Sequence, residues 1–502
     1  MQAMQAAARK DFARAVSLLA MALRETPNDA SLWFNRAVML QQLGRHEEAL
    51  ADYDKALALR ANDAEAWFNR GVACEALKRS EDAIASYDRT LALQRRHLGA
   101  LNNRGGAHAH LKRYAEALRD FETILAIQPR DVNALYNKAN ALRGLGRFED
   151  ALQIHDRALA INPNHADAWN NRGLTLEALE RNEEALTSFR TAIARGGDSV
   201  ERRLNCHSAL LSMNRHEEAL AEAEAALRLD PASSPAKFSK GISLLTLDRL
   251  GEGWPLYEER WFAGENPPRP NVSAPLWLGH EDIAGKTVLL HAEQGLGDMI
   301  QFARFAAPIA ARGAHVILRV PMTLKTLLRE GLRAPGVETI GYDDPLPAVD
   351  FLTPIMSAAL VRGVTPETIP SAPYIDADPA RVAAWRARLP ASDKPLIGIV
   401  WRGDVRTPAR ARRTIPLATF ARLLDAPAHF VSLQLELDGE AEVALLDQRG
   451  VPHFGDALRD FADTAALIAC CDLIITIDTS VAHLAGALGK PVWIMLRHWA
   501  DW

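Results

Sequence analysis

Residues 64–97 read AEAWFNRGVACEALKRSEDAIASYDRTLALQRRH, and this 34-residue pattern returns along the first half of the chain. Trp67 has counterparts at Trp33, Leu101, Leu135 and Trp169. Asn69 has counterparts at Asn35, Asn103, Asn137, Asn171 and Asn205, and small Gly71 at Ala37, Gly105, Ala139 and Gly173. A second small residue recurs at Ala15, Ala49, Ala83, Ala117, Ala151, Ala185 and Ala219. An aromatic ring follows it at Tyr53, Tyr87, Phe121 and Phe189, and His155 breaks that series. Small residues let paired helices approach closely, large rings fill the space between units, and Pro27, Pro129, Pro163 and Pro231 stop helices at unit ends.

These columns resemble the tetratricopeptide repeat (TPR), two packed helices per unit. They predict an all-α TPR superhelix over residues 1–262, with about seven units and a partial one at the N-terminus. The last unit, near Gly241, changes character to GEGWPLYEERWF, where Trp254, Tyr257 and Trp261 predict a cap docked on the domain that follows. The asparagine column falls midway along each first helix, on the face that lines the concave groove of such arrays. It reads either as polar residues tolerated on a solvated face or as amides that hold the backbone of an extended peptide, each both donor and acceptor. In the second reading it resembles the asparagine ladder of TPR-bearing O-linked N-acetylglucosaminyl transferases.

A chain of 502 residues is too long for one core. A net charge of −5 argues against general nucleic-acid or membrane-surface binding. The N-terminal MQAMQAAARKDFARA lacks the apolar core of a secretion signal, and no apolar run is long enough to span a bilayer. Cys74, Cys206, Cys470 and Cys471 have no metal-ligand spacing and read as small buried hydrophobes in a reducing compartment, so a cytoplasmic location without a metal is expected.

Residues 263–285 are rich in Pro and Gly and read as a linker, in which Leu276–Leu278 is expected to pack on one domain or the other. Beyond it, apolar strand-like runs alternate with helical stretches: KTVLLHAEQ, HVILRV, IGIVW, HFVSLQ, DLIITI and PVWIML carry the strands. Such alternation predicts parallel sheets covered by helices. Two sets, 286–380 and 381–502, predict two Rossmann-like halves whose ligands lie at the carboxyl ends of the strands.

Three loops are candidates for chemistry. Gly295 and Gly297 form a turn opening a helix, with neither a dinucleotide fingerprint nor a phosphate-loop lysine. There Asp298 is either a helix cap or a general base. Arg402, Arg406, Arg410, Arg412 and Arg413 crowd one loop, either solvated or neutralising a diphosphate. Asp478, Thr479 and Ser480 sit between a buried strand and a short helix as an anion site, with His483 either packed or in contact with ligand.

Together HAEQGLGDMIQFARF, the loop ending RRTIP and FADTAALIACCDLIITIDTSVAHLAGALGKPVW resemble, over residues 280–502, the heptosyltransferase-related (family 9-type) glycosyltransferase domain found behind TPR arrays in bacterial proteins. That resemblance implies a GT-B fold of two halves. It implies sugar transfer from a nucleotide diphosphate without a metal or other cofactor, the nucleotide-sugar being a co-substrate. It places Asp298 as the acid/base, Arg413 near the donor phosphate, and Asp478, Thr479 and His483 in the motif holding the nucleotide sugar. The chain departs from the pattern at Gln434–Leu437, where relatives carry a Lys-Gly type loop, and at Trp502, where final helices crossing back to the first half are expected to be lacking. A dimer is one way to cover the edge so exposed, and TPR faces often self-associate. The leading expectation is a glycosyltransferase whose TPR groove presents a protein or peptide acceptor. The alternative is a TPR adaptor with an inactive transferase-like domain.

Overall fold

The computed structural model describes residues 2–263, 272–391, 393–403 and 414–496. The chain divides into two compact units, Met1–Ala209 and Leu210–Trp502, with the helix Val200–Leu211 running through the division.

The first unit is a series of antiparallel helix pairs, among them Ala30–Gln42 with His46–Leu59, Ala64–Ala76 with Ser80–Leu93, and Ala166–Ala178 with Asn182–Gly196. The column residues account for the packing. A Cβ on Gly71 would stand 2.5 Å from the Tyr87 ring, and one on Gly173 would stand 2.4 Å from Phe189, so the ring occupies the space that glycine leaves. The buried Tyr53 and Tyr87 hydroxyls donate to Gln41 and Glu75 at 2.8 Å. Trp33, Trp67 and Trp169 donate their indole N–H to the carbonyls of Pro27, Ala61 and Pro163, tying each first helix to the turn before it. Arg36 reaches Asp52 and Arg104 reaches Asp120, both bidentate, while Arg70 and Arg172 reach Ser86 and Ser188. Side chains cap the first helices at Asp29, Asp63, His97, Asp131 and His165.

The turn inside each pair repeats one backbone conformation. Lys10, Gly44, Lys78, Lys112, Gly146 and Glu180 all take positive φ, between 59° and 74°. At this left-handed position glycine is unstrained and a side chain is not. His155 replaces the aromatic ring of its pair and is fully buried, and neither ring nitrogen has a hydrogen-bond partner.

The second unit opens with helices His216–Leu229, Ser234–Thr246 and Leu250–Tyr257 and a 3-10 turn, Glu258–Trp261. Two four-stranded parallel sheets follow. The first has the order β3-β2-β1-β4, with β1 Thr287–His291, β2 His315–Val320, β3 Val337–Gly341 and β4 Phe351–Pro354. The second has the order β6-β5-β7-β8, with β5 Leu396–Val400, β6 His429–Ser432, β7 Leu473–Ile477 and β8 Val492–Met495. The central strands are continuous apolar runs because helices cover both of their faces. In each sheet the strand order reverses beside the first strand, which leaves a crevice at the carboxyl edge.

Leu276 bridges to Leu352 of β4, and Trp277 is fully buried with its backbone N–H on the Leu352 carbonyl, so this segment packs on the first sheet. The expected cap also packs there. Trp254 and Tyr257 share one apolar core with Phe302 and β1, and Trp254 meets Phe302 edge-on at 5.7 Å. β8 is an edge strand on which Trp493 is 64% exposed.

Candidate functional site

Three loops meet at the carboxyl ends of the two sheets. From the first sheet comes the turn after β1, in which Gly295 N-caps the helix Leu296–Phe302. Asp298 is at the third position of that helix and not at its N-cap, and it accepts the Gly295 N–H on Oδ2 at 2.9 Å, bonding back to the capping residue. Gly297 faces the other half: a Cβ there would stand 2.6 Å from Cδ2 of His483 and 3.4 Å from Cα of Ser480. No other residue type allows this approach without moving the imidazole.

From the second sheet, the β7 strand ends at Ile477, and Thr479 takes the extended N-cap conformation (φ −144°, ψ 171°) before the helix Ser480–Ala487. The Thr479 hydroxyl lies 3.2 Å from that of Thr476. Asp478, Ser480 and His483 are half-buried. The loop after β5 completes the group: a Cβ on Gly403 would stand 3.5 Å from Cγ2 of Thr479. Gly295, Gly297, Asp298, Gly403, Thr479, Ser480 and His483 are therefore brought together.

Arg402 belongs to the same loop but turns toward the segment after β6. Its backbone N–H donates to Gln434 Oε1 at 3.2 Å, and its guanidinium donates to the Glu436 carbonyl at 2.7 Å. Asp438 and Glu442 lie 3.1 and 3.4 Å from it, and its side chain is only 11% exposed. Glu442 also accepts from the Trp401 indole at 2.9 Å and the Asp438 amide at 2.7 Å. The charge of Arg402 is thus shared by two carboxylates just beyond Gln434–Leu437, while that segment itself contributes the Gln434 side-chain oxygen and the Glu436 carbonyl. Arg406, Arg410, Arg412 and Arg413 lie outside the described residues. Among the described residues no group of three or more His, Cys, Asp or Glu is placed to hold a metal ion, and no helix is long and apolar enough to cross a membrane.

A second group beside the β1 turn carried no sequence motif. Glu293 is buried between β1 and the glycine turn, paired with the fully buried Arg260 at 2.9 Å. A carboxylate placed directly after the apolar run VLLHA, and an arginine set between Tyr257 and Trp261, were the available signals. Burial pushes the Glu293 carboxyl above its ordinary range, and Arg260 opposes that shift. His291, at the end of β1, stacks on Tyr342 at 5.6 Å, and burial lowers its pKa to about 4.

The asparagine column lies in the first unit, and all six members are half-buried. Several are linked from one repeat to the next. Asn137 donates to Asn102, Asn171 donates to Asn140 and to the Tyr136 hydroxyl, and Asn205 donates to Asn170, at 2.8 to 3.2 Å. Asn103 donates to the Tyr87 hydroxyl, and Asn69 donates to its own helix at the Glu65 carbonyl. Asn35 holds the same place on its helix, between Phe34 and Arg36.

Family models described as tetratricopeptide repeat match residues 18–51, 64–97, 97–164, 136–200 and 208–261, and one described as TPR repeat matches 39–78. The model for glycosyltransferase family 9 (heptosyltransferase) matches residues 459–494, the segment holding β7, Asp478, Thr479 and His483. Protein FlbA of Caulobacter vibrioides is 31% identical over 284 residues, covering 52% of this chain and 47% of FlbA. The chain thus spans about half the length of that relative. Among solved structures, YrrB, described as a TPR protein with an unusual peptide-binding site, is 26% identical over 36% of this chain and 93% of its own, with a TM-score of 0.33. A thermophilic TPR protein of Thermus thermophilus is 27% identical over 36% of this chain and 100% of its own, at 0.32. A TPR protein of Parabacteroides merdae is 20% identical over 48% and 96%, at 0.40. The helical array is a TPR array, and the α/β region after it resembles glycosyltransferase family 9 over residues 459–494.

Proposed function

We propose that this TPR chain with a family 9-like domain is a GT-B glycosyltransferase that moves a sugar from a nucleotide diphosphate to a hydroxyl of a protein or peptide. The observation that carries the reading is the meeting of the Gly295–Asp298 turn with the Thr479–His483 helix start, one from each sheet, at the carboxyl edges where such folds bind ligands. The donor diphosphate would lie against the β5 and β7 loops, with the backbone N–H groups of Ser480 and its neighbours, Thr479 and the arginine loop around Arg413 opposing its charge. Asp478 and His483 would hold the nucleotide sugar, while Gly295 and Gly297 keep that side of the crevice narrow. Asp298 takes the proton from the acceptor hydroxyl. The oxygen bonds to the sugar's anomeric carbon as the bond from that carbon to the phosphate oxygen breaks, and the nucleoside diphosphate leaves with the electron pair. The acceptor's backbone would run along Asn35, Asn69, Asn103, Asn137, Asn171 and Asn205, of which the last four are already held by bonds to the preceding repeat.

The alternative, an adaptor whose transferase-like domain no longer turns over, is favoured by one observation: Arg402 is already paired with Asp438 and Glu442. Calorimetric titration of the folded chain with a panel of nucleoside diphosphates and their sugars separates the two. Micromolar binding weakened by Asp478→Ala, with turnover lost in Asp298→Asn while binding stays, supports the transferase. No binding across the panel refutes it and leaves the adaptor.

A further inference from the structure

We infer that Arg260, with Glu258 and Glu293, is the positioning group for the turn that carries Asp298, so that the last helix pair holds this turn in place. The catalytic consequence rests on the reading of Asp298 as the base; the positioning does not.

The sheet holds the chain through β1 to His291 and, by one further bond from the Ala292 N–H to the Arg319 carbonyl at 3.0 Å, to Ala292. The next residues need other support. Gln294 has φ +63°, a left-handed backbone that strains a residue carrying a side chain. That conformation persists only where its surroundings over-determine it, and here they come from residues 257–260 together with Met356 and Ser357. Glu293 receives two N–H groups of Arg260, Nε to Oε2 at 3.2 Å and Nη2 to Oε1 at 2.9 Å, and the backbone N–H of Met356 at 3.1 Å. Gln294 donates its side-chain amide to the Tyr257 hydroxyl at 2.9 Å.

Arg260 is in turn immobilised. Its Nη1 donates to Glu258 at 2.6 Å, and Nη2 donates to the Ser357 hydroxyl at 2.8 Å, which passes a hydrogen bond to Glu258 at 2.7 Å. Its guanidinium lies 4.4 Å from the Trp261 ring and 5.0 Å from that of Tyr257. A planar, bidentate donor sets the orientation of its carboxylate, which a lysine in its place would not. Two consecutive residues before Gly295 are thereby tied to one short helical segment, and Asp298 follows through its bond to the Gly295 N–H.

The test is hydrogen exchange on the full chain and its Arg260→Met and Arg260→Lys variants. Amides in residues 292–299 should exchange about tenfold faster in Arg260→Met, with partial recovery in Arg260→Lys, while β1 and β7 keep their protection. Unchanged exchange in a folded Arg260→Met protein overturns the inference, as does a loss of protection spread evenly over the unit. Should that variant not fold, Glu293→Gln carries the test, with the same local acceleration expected and wild-type protection overturning it. Local acceleration in a chain that binds no nucleotide would remove the transfer reading and leave the positioning standing.

Discussion

Replacing His155 with phenylalanine should stabilise the helical array, and the gain should grow as the solution is acidified. His155 stands where other pairs carry Tyr53, Tyr87, Phe121 and Phe189, fully buried, with Arg143 and Arg172 adding positive charge nearby. Burial, followed by those cations, lowers its pKa from 6.5 to about 3. The unfolded chain therefore binds a proton that the folded chain refuses, so stability is full above pH 6.5 and declines as the pH falls toward 3. At pH 5 the loss from this one group is about 2 kcal/mol. Phenylalanine has no proton to gain, and the pairing of Ala37 with the larger Tyr53 indicates that an alanine at position 139 admits a full ring. At pH 8 the variant should already gain about 1–3 kcal/mol, because two buried ring nitrogens without partners are removed. Hydrogen exchange of peptides covering Phe148–Ile161 reads the effect locally, which suits an array whose units unfold without the whole. The wild-type to variant ratio of exchange rates should rise about thirtyfold between pH 8 and pH 5. A ratio independent of pH would show that His155 is hydrated or protonated in the folded array and would refute the reasoning.

Other outcomes follow from the same packing. Gly173→Ala places a methyl group within 2.4 Å of Phe189 and should cost about 1–3 kcal/mol, read as a lowered midpoint of thermal unfolding. Lys78→Gly and Lys112→Gly relieve left-handed strain at φ 59° and should each raise stability by up to about 1 kcal/mol; a lower midpoint would count against that account. Asp438→Asn removes one of the two carboxylates on Arg402 and should tighten binding of inorganic diphosphate several-fold, whereas unchanged affinity would place Arg402 away from the anion.

The helical array was legible because its 34-residue columns are local demands: a glycine exists where a ring must fit, and an indole where a turn must be tied. The parallel strands with long apolar runs, β1, β2 and β5 to β8, were legible for the same kind of reason. β3 (VETIG) and β4 (FLTP) were not read as strands, since each is short and carries little apolar run of its own. β4 is completed from outside the strand pattern by Leu276 and Trp277. The glycines at 295 and 297 were visible as a turn, but the partner that makes Gly297 necessary, His483, lies far along the chain. Arg260 and Glu293 escaped notice because a buried ion pair has no period and no motif; each residue alone looks like surface charge.

Trp277 and Arg260 also bear on how such a chain can be recombined. Composition places the seam between array and α/β region at residues 263–285, yet Leu276 and Trp277 within that segment are joined to the first sheet and Arg260 just before it to the turn beside β1. An exchange of arrays between related proteins that joined there would strip the β1 turn of its anchor. A crossover at a turn between earlier helix pairs would exchange whole repeats and leave that anchor with the domain it serves. The last helix pair should therefore be inherited with the α/β region rather than with the repeats whose pattern it shares.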